Sequence, residues 1–249
     1  MASVSAVIST YQRPDECERA VRSALAQEPA PIEVLVCDDG SADGTAERFG
    51  DFGDPRVRYI RVEPNRGTPA PARNAGVRAA CGDWIAFLDD DDEWLPGKLA
   101  AQLAHAGDAD VIATNAVTSG GEPYFPGAPK EHRPTRRELL AANPVIQSSA
   151  MVRRGAGLHF PEQGWLRGVE DYGAWLSLAD EGARFLVLGE PLVRYTTHSA
   201  GRFSGGAPAR VERAVARLAW QRLARHPLDR ELVRAALGRT AALSRRRAA

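Results

Sequence analysis

The sequence predicts an α/β domain built on a mostly parallel sheet, and three observations predict it. Short apolar runs alternate with helix-like segments through the first half of the chain. Several of those runs, IEVLVCD and DWIAFLD among them, are apolar at consecutive positions, as strands covered on both faces are. Acidic turns follow the runs, at the strand ends where open parallel sheets bind ligands. A chain of 249 residues accommodates one such domain with appendages.

Taken in order, SAVIS predicts the first strand and Pro14 to Gln27 a helix with proline at its first position. IEVLVCD predicts the second strand, Ala42 to Phe49 a short helix, and VRYIRV the third strand. TPAPARNAGVRAACG predicts a helix ending on a glycine cap, and DWIAFLD a strand joined by right-handed crossovers to the others. Pro96 begins a helix of about ten residues, and DADVIATN supplies one more strand. From Ser119 to Pro134 glycine, proline and charge break the pattern, which predicts a mobile loop. A less regular half follows: VIQSSAMVRR as a strand, GVEDYGAWLSLADEG as a helix closed by Gly182, then RFLVLG and LVRYTT as two short strands.

The 32 basic and 32 acidic residues cancel, so no global field attracts nucleic acid. No stretch approaches the roughly 20 apolar residues of a spanning helix, and MASVSAVIST lacks a basic leader, so the expectation is a cytoplasmic protein. Cys17, Cys37 and Cys81 are odd in number and lack metal-ligand spacing, as expected of reduced core thiols. Beyond Gly206 eleven arginines stand against three acidic residues, a net +8, so the remainder carries −8. Within that tail Val211, Val215 and Leu218, then Leu228, Leu232, Ala236 and Leu243, recur at helical spacing around a break at Pro227. Two amphipathic helices packed on the domain or on a second subunit, as in a homodimer, are the plainer reading; peripheral contact with an anionic membrane is the other.

Two acidic clusters carry the chemistry. In FLDDDDEW, Asp89, Asp90, Asp91 and Asp92 follow a buried strand. Four adjacent carboxylates repel one another and suit a hard cation whose shell a pyrophosphate completes; one or two of them could instead cap the helix near Pro96. Asp38 and Asp39 close IEVLVC and precede Gly40, Ser41 and Asp43, either as an Asp-Gly turn or as acceptors for a base or ribose.

STYQRP, VCDDGSADGT, NRGTPAPARNAG, GDWIAFLDDDDEW and GVEDYGAW, in that order, resemble family 2 of the glycosyltransferases over about residues 3 to 200. The resemblance implies the GT-A fold over residues 1–204, with 1–114 as a nucleotide-sugar half and 115–204 as an acceptor half; the basic stretch 205–249 is the helical extension. It implies that Thr10 and Tyr11 contact a uracil-type base, Tyr11 by stacking, that Asp39 binds base or ribose, and that Arg73 lies beside the nucleotide. It also implies that Asp90 binds ribose and that Asp91, in the family's DXD motif, ligates Mn²⁺ or Mg²⁺. His198 matches a histidine that some members place near the metal or diphosphate, Asp171 matches the base that deprotonates the acceptor, and Glu170 is a further acceptor contact. Gln12 replaces a common asparagine, and the doubled Asp89-Asp90 a usual small residue. QxxRW and membrane helices of processive synthases are absent from the sequence, which favours transfer of one sugar to a discrete acceptor; the expected donor is a UDP-sugar. A nucleotidyltransferase would open on a glycine-rich signature that STYQRP does not offer, a phosphatase would need Thr or Val after the aspartates, and a binding module without turnover would keep the pocket alone.

Overall fold

The computed structural model describes residues 2–197 and 208–248. Among the described residues nine strands form one sheet: β1 (Val4–Thr10), β2 (Glu33–Asp38), β3 (Val57–Arg61), β4 (Trp84–Asp89), β5 (Glu93–Trp94), β6 (Val111–Thr118), β7 (Glu131–His132), β8 (Met151–Arg153) and β9 (Phe185–Tyr195). The eight helices among the described residues are α1 (Pro14–Leu25), α2 (Thr45–Gly50), α3 (Ala70–Ala79), α4 (Lys98–Leu103), α5 (Arg136–Ala141), α6 (Glu170–Asp180), α7 (Pro208–Arg225) and α8 (Arg230–Ala248). Strand order is β3-β2-β1-β4-β8-β6-β9-β5, with β7 also on β9.

β3, β2, β1 and β4 pair in parallel, as the continuous apolar runs of β2 and β4 predict for the sheet's middle, with the charged β3 at its edge, while β8 runs antiparallel to both β4 and β6. Every residue of β1 and β2 is buried, and successive side chains feed opposite faces. Val7 joins a core with Leu35, Phe87 and Trp175, whereas Ala6 and Ile8 join one with Val34, Val36 and Trp84.

Several boundaries depart from the sequence reading for identifiable reasons. VIQSSAMVRR is a strand only from Met151, because Gln147–Ser149 turn as a 3₁₀ helix. RFLVLG and LVRYTT are one strand: Thr114 pairs with Leu188 and Asn115 with Pro191, so Gly189 and Glu190 bulge without ending it. The stretch from Ser119 to Pro134 contains β7. α4 is shorter than expected and begins after Gly97, whose φ of 86° places it in the left-handed region. No aspartate of the FLDDDDEW cluster caps it. Cys17 and Cys37 are buried thiols, but Cys81 is exposed, which corrects its reading as a core residue.

α3 ends without the expected glycine cap: Ala80 turns the chain into extended backbone. Gly82 answers a different need, since a Cβ there would lie 2.6 Å from the Ser5 nitrogen and 2.9 Å from the Val4 carbonyl carbon. Backbone of a central strand cannot retreat, so Gly82→Ala is expected to lower unfolding free energy by about 1–3 kcal/mol through overpacking. Urea denaturation checks it; an unchanged midpoint would show that the β1 edge yields.

α7 and α8 form a pair packed on the domain, the plainer of the two readings of the tail. Leu218 and Leu232 enter the core, at 6% and 0% exposure. The arginines are tethers: Arg222 pairs with Asp180 and donates to the Gly173 carbonyl at 3.0 Å, and Arg239 donates to the Leu140 carbonyl and the Tyr172 hydroxyl, each at 2.8 Å. No helix among the described residues is long and apolar enough to cross a membrane.

Candidate active site

Parallel pairing brings the chemistry to one edge. Thr10 pairs with Asp38, and Ser9 pairs with Asp89, so β1, β2 and β4 end together and release Tyr11, Asp39 and Asp90 into one region. A cleft of about 390 Å³ opens there, lined by Thr10, Tyr11, Arg13, Asp39, Arg73, Asp89, Asp90, Asp91 and Asp92 with others. Six of the seven residues expected at the nucleotide and the metal, all but His198, line this cleft. His198 lies outside the described residues.

The four aspartates have separate environments. Asp89 accepts from Arg73 Nη2 at 2.6 Å. Asp90 is buried, accepts from Thr10 Oγ1 at 2.9 Å and shares Arg13 Nη1 with Asp91, at 2.9 and 2.7 Å. Asp92, at the cleft's inner edge, is tied down by accepting from Ser148 Oγ and, at 2.8 Å, from the Thr196 amide. Burial pushes the Asp90 carboxyl up to about 7, opposed by Arg13 and reinforced by Asp91. Burial likewise raises Asp92 well above the usual range. Concentrated carboxylate charge is costly here, and a cation or donor group in the cleft relieves it.

The Asp38-Asp39 pair divides its labour. Asp38 is fully buried and holds the turn, accepting from the Ser41 amide at 2.9 Å and from the Tyr59 hydroxyl. Asp39 lines the cleft and is raised by burial, against hydrogen bonds from the Arg66 and Gly67 amides. Tyr11 is 43% exposed and lines the cleft.

A second cleft of about 250 Å³ lies beside the first and shares Pro69, Arg73, Asp89 and Tyr195 with it. It contains Glu170 and Asp171, in the first turn of α6, together with Tyr124, Asn143 and Gln147. Val169 precedes the helix, and no side chain caps it. Glu170 Oε2 accepts from the Gly168 amide, and Gly168, at φ 82°, makes the turn into the helix. Arg73 joins the clefts: Nη2 holds Asp89, and Nη1 stands 3.7 Å from Glu170 Oε1. Burial and Glu170 push Asp171 up to about 6, against the pull of Arg73.

Arg13 was not singled out from the sequence, although it sits in STYQRP, two residues past Tyr11, and is the cation between Asp90 and Asp91. Ser148, which anchors Asp92, and Tyr124 had no local signal, since they arrive from irregular segments.

The sequence profile of Glycosyl transferase family 2 matches residues 5–159. The succinoglycan biosynthesis protein ExoU of Rhizobium meliloti (strain 1021) is 34% identical over 209 residues, covering 74% of this chain and 59% of ExoU. ExoO of the same organism is 48% identical over 103 residues, covering 41% of this chain and 29% of ExoO. The Escherichia coli WfgD, a UDP-Glc:α-D-GlcNAc-diphosphoundecaprenol β-1,3-glucosyltransferase, is 38% identical over 101 residues, covering 41% of this chain and 40% of WfgD. The chain thus spans 29% to 59% of the length of these relatives. Residues 1–349 of S. aureus TarS, solved in complex with UDP-GlcNAc, share the fold, with a TM-score of 0.71 at 21% identity over 89% of this chain and 66% of that chain. The matched profile covers more than half of the sequence and includes both edge clusters, and the chain belongs to glycosyl transferase family 2.

Proposed function

We propose that the chain transfers one sugar from a UDP-sugar to a saccharide hydroxyl, with inversion, using Asp171 as general base. The observation that carries this is the pair of joined clefts, an acid-lined one with Tyr11 and Asp39 and a second holding the half-buried Asp171 carboxyl beside the buried Glu170. Sugar transfer follows the family, and the UDP donor and saccharide acceptor follow WfgD, whose name states both.

Tyr11 stacks on the base, Asp39 and Asp90 accept hydrogen bonds from base and ribose, and Arg73 stands where the two clefts meet. Asp171 accepts the acceptor proton as that oxygen bonds to the anomeric carbon and the bond to the diphosphate breaks on the opposite face. One base facing one leaving group gives a single displacement.

A divalent cation fits the donor set. Among the described residues no three acidic, histidine or cysteine side chains form a cage of their own, whereas Asp91 contributes carboxylate oxygen at the cleft wall. Hard Mg²⁺-like ions are held in this way, by one or two carboxylates completed by substrate phosphate. Asp91 would hold Mn²⁺ or Mg²⁺, with His198 as a second candidate ligand, and the ion supplies charge neutralisation on the leaving diphosphate.

Thermal shift with UDP, GDP, TDP and CDP, each with Mn²⁺ or with chelator, tests the donor half. A nucleotide at a hundredfold its Kd stabilises by about 2.7 kcal/mol. A metal-enhanced shift for UDP alone is expected; no shift with any of the four would remove the assignment. The base has its own signature, because a base must be deprotonated to act. With Asp171 held near 6, kcat/KM is expected to fall as pH drops below about 6 and to level off above 7. A profile flat from pH 5 to 8 would exclude Asp171 from proton transfer.

A further inference from the structure

The second cleft contains a polar group to which the fold gives no partner. Gln147, Ser148 and Ser149 form one 3₁₀ turn, all three buried. Ser148 donates to Asp92, and Ser149 donates to the Ile146 carbonyl at 2.8 Å. Gln147 is 7% exposed, lines the cleft that holds Asp171, and has neither its amide nitrogen nor its amide oxygen hydrogen-bonded. A buried carboxamide lacking both bonds costs stability, and natural folds seldom retain one without a use.

The surroundings indicate the use. Tyr124, 41% exposed, lines the same cleft and is braced edge-on by Phe125 and Tyr195, with ring centroids 5.0 and 5.1 Å away. Val145 and Ile146 complete an apolar side. An aromatic platform facing a few polar groups suits a ligand with one apolar face and a hydroxylated edge, which describes a pyranose ring. The turn fixes the Gln147 backbone through its two serines, so only the side chain has to adjust on binding, a common and small change.

We propose that Gln147 is the residue that reads the acceptor: its carboxamide hydrogen-bonds a hydroxyl or acetamido group beside the reacting hydroxyl of a pyranose whose apolar face rests on Tyr124. This deepens the proposed transfer reaction and rests on it. A carboxamide both donates and accepts, so it binds a vicinal hydroxyl in either sense and penalises an acceptor that lacks one.

The test uses the full chain loaded with UDP, and saturation-transfer NMR with methyl β-D-glucoside, methyl β-D-galactoside and methyl N-acetyl-β-D-glucosaminide as probes. Wild type is expected to bind at least one of them. Gln147→Met, close in shape and without the amide, is expected to weaken that binding by about 10- to 100-fold while UDP binding holds. It is also expected to raise Tm by a few degrees, because the unbonded group is gone. Gln147→Glu, which keeps the shape and the acceptor but loses the donor, provides a second variant should the first misfold. Equal glycoside binding by wild type and both variants would overturn the role of Gln147. Binding of UDP without any of the three glycosides would overturn the pyranose acceptor. A wild type that does not bind UDP would instead strike the donor assignment on which both depend.

Discussion

Asp171→Asn is expected to lower the transfer rate by about 10²- to 10⁴-fold, the range a positioned general base contributes. Affinity for UDP should stay within about twofold, because Asp171 lines only the second cleft. Asparagine keeps the shape and removes the basic oxygen, so the loss should fall on kcat and leave donor KM unchanged. A stability gain should accompany it. The Asp171 carboxyl rises from an ordinary value of 3.8 to about 6 in the folded chain, so the native state holds its proton more tightly than the unfolded state does. The sign follows: aspartate at 171 costs stability increasingly between pH 4 and 6, and the cost stays constant above 6. The variant should therefore melt higher than wild type at pH 7.5 and level with it at pH 4. Loss of UDP binding together with turnover would mean that Asp171 supports the donor cleft and is no base.

Arg73→Met is the second large effect, and it concerns stability as well as rate. Burial disfavours the Arg73 cation, yet Asp89 and Glu170 hold it charged. Its side chain is 7% exposed and that of Glu170 4%, so removing the cation leaves the buried Glu170 and the half-buried Asp171 beside each other without compensation. Breaking a buried pair in this way costs about 3–5 kcal/mol. The same loss removes the charge that opposes the rise at Asp171, so the acid limb of kcat/KM should move to higher pH in any folded fraction. Chemical denaturation and a pH–rate profile check the two halves. A stability change under about 1 kcal/mol would show that the carboxylates are neutral already and that Arg73 does not bind the clefts together.

How far the sequence discloses this depends on where each residue lies. The parallel half was legible because strands covered on both faces are apolar without interruption, and because parallel pairing gathers their ends: Thr10, Asp39 and Asp90 meet by register alone. Asp171 was legible from GVEDYGAW, a motif carried on a single helix start. Gln147 and Tyr124 were not, since each reaches the second cleft through a turn or loop whose position depends on tertiary packing. β9 was divided in two because a Gly-Glu bulge has the composition of a turn, and only its pairing with β6 shows the strand continuing. Arg13 has no signal of its own within STYQRP, because its service to Asp90 and Asp91 is a long-range fact, separated by nearly 80 positions of chain.

The basic tail has a practical consequence. Trimming the gene before Pro208 to obtain a smaller catalytic piece looks safe on charge alone, since the stretch is rich in arginine. Yet α6, whose first turn carries Asp171, is gripped from behind by Arg222 at Gly173, Ser177 and Asp180 and by Arg239 at Tyr172. A shortened protein would lose those clamps and present the apolar seat of Leu218 and Leu232 to solvent, and so would tend to self-associate in the test tube while the helix start that carries Asp171 worked loose.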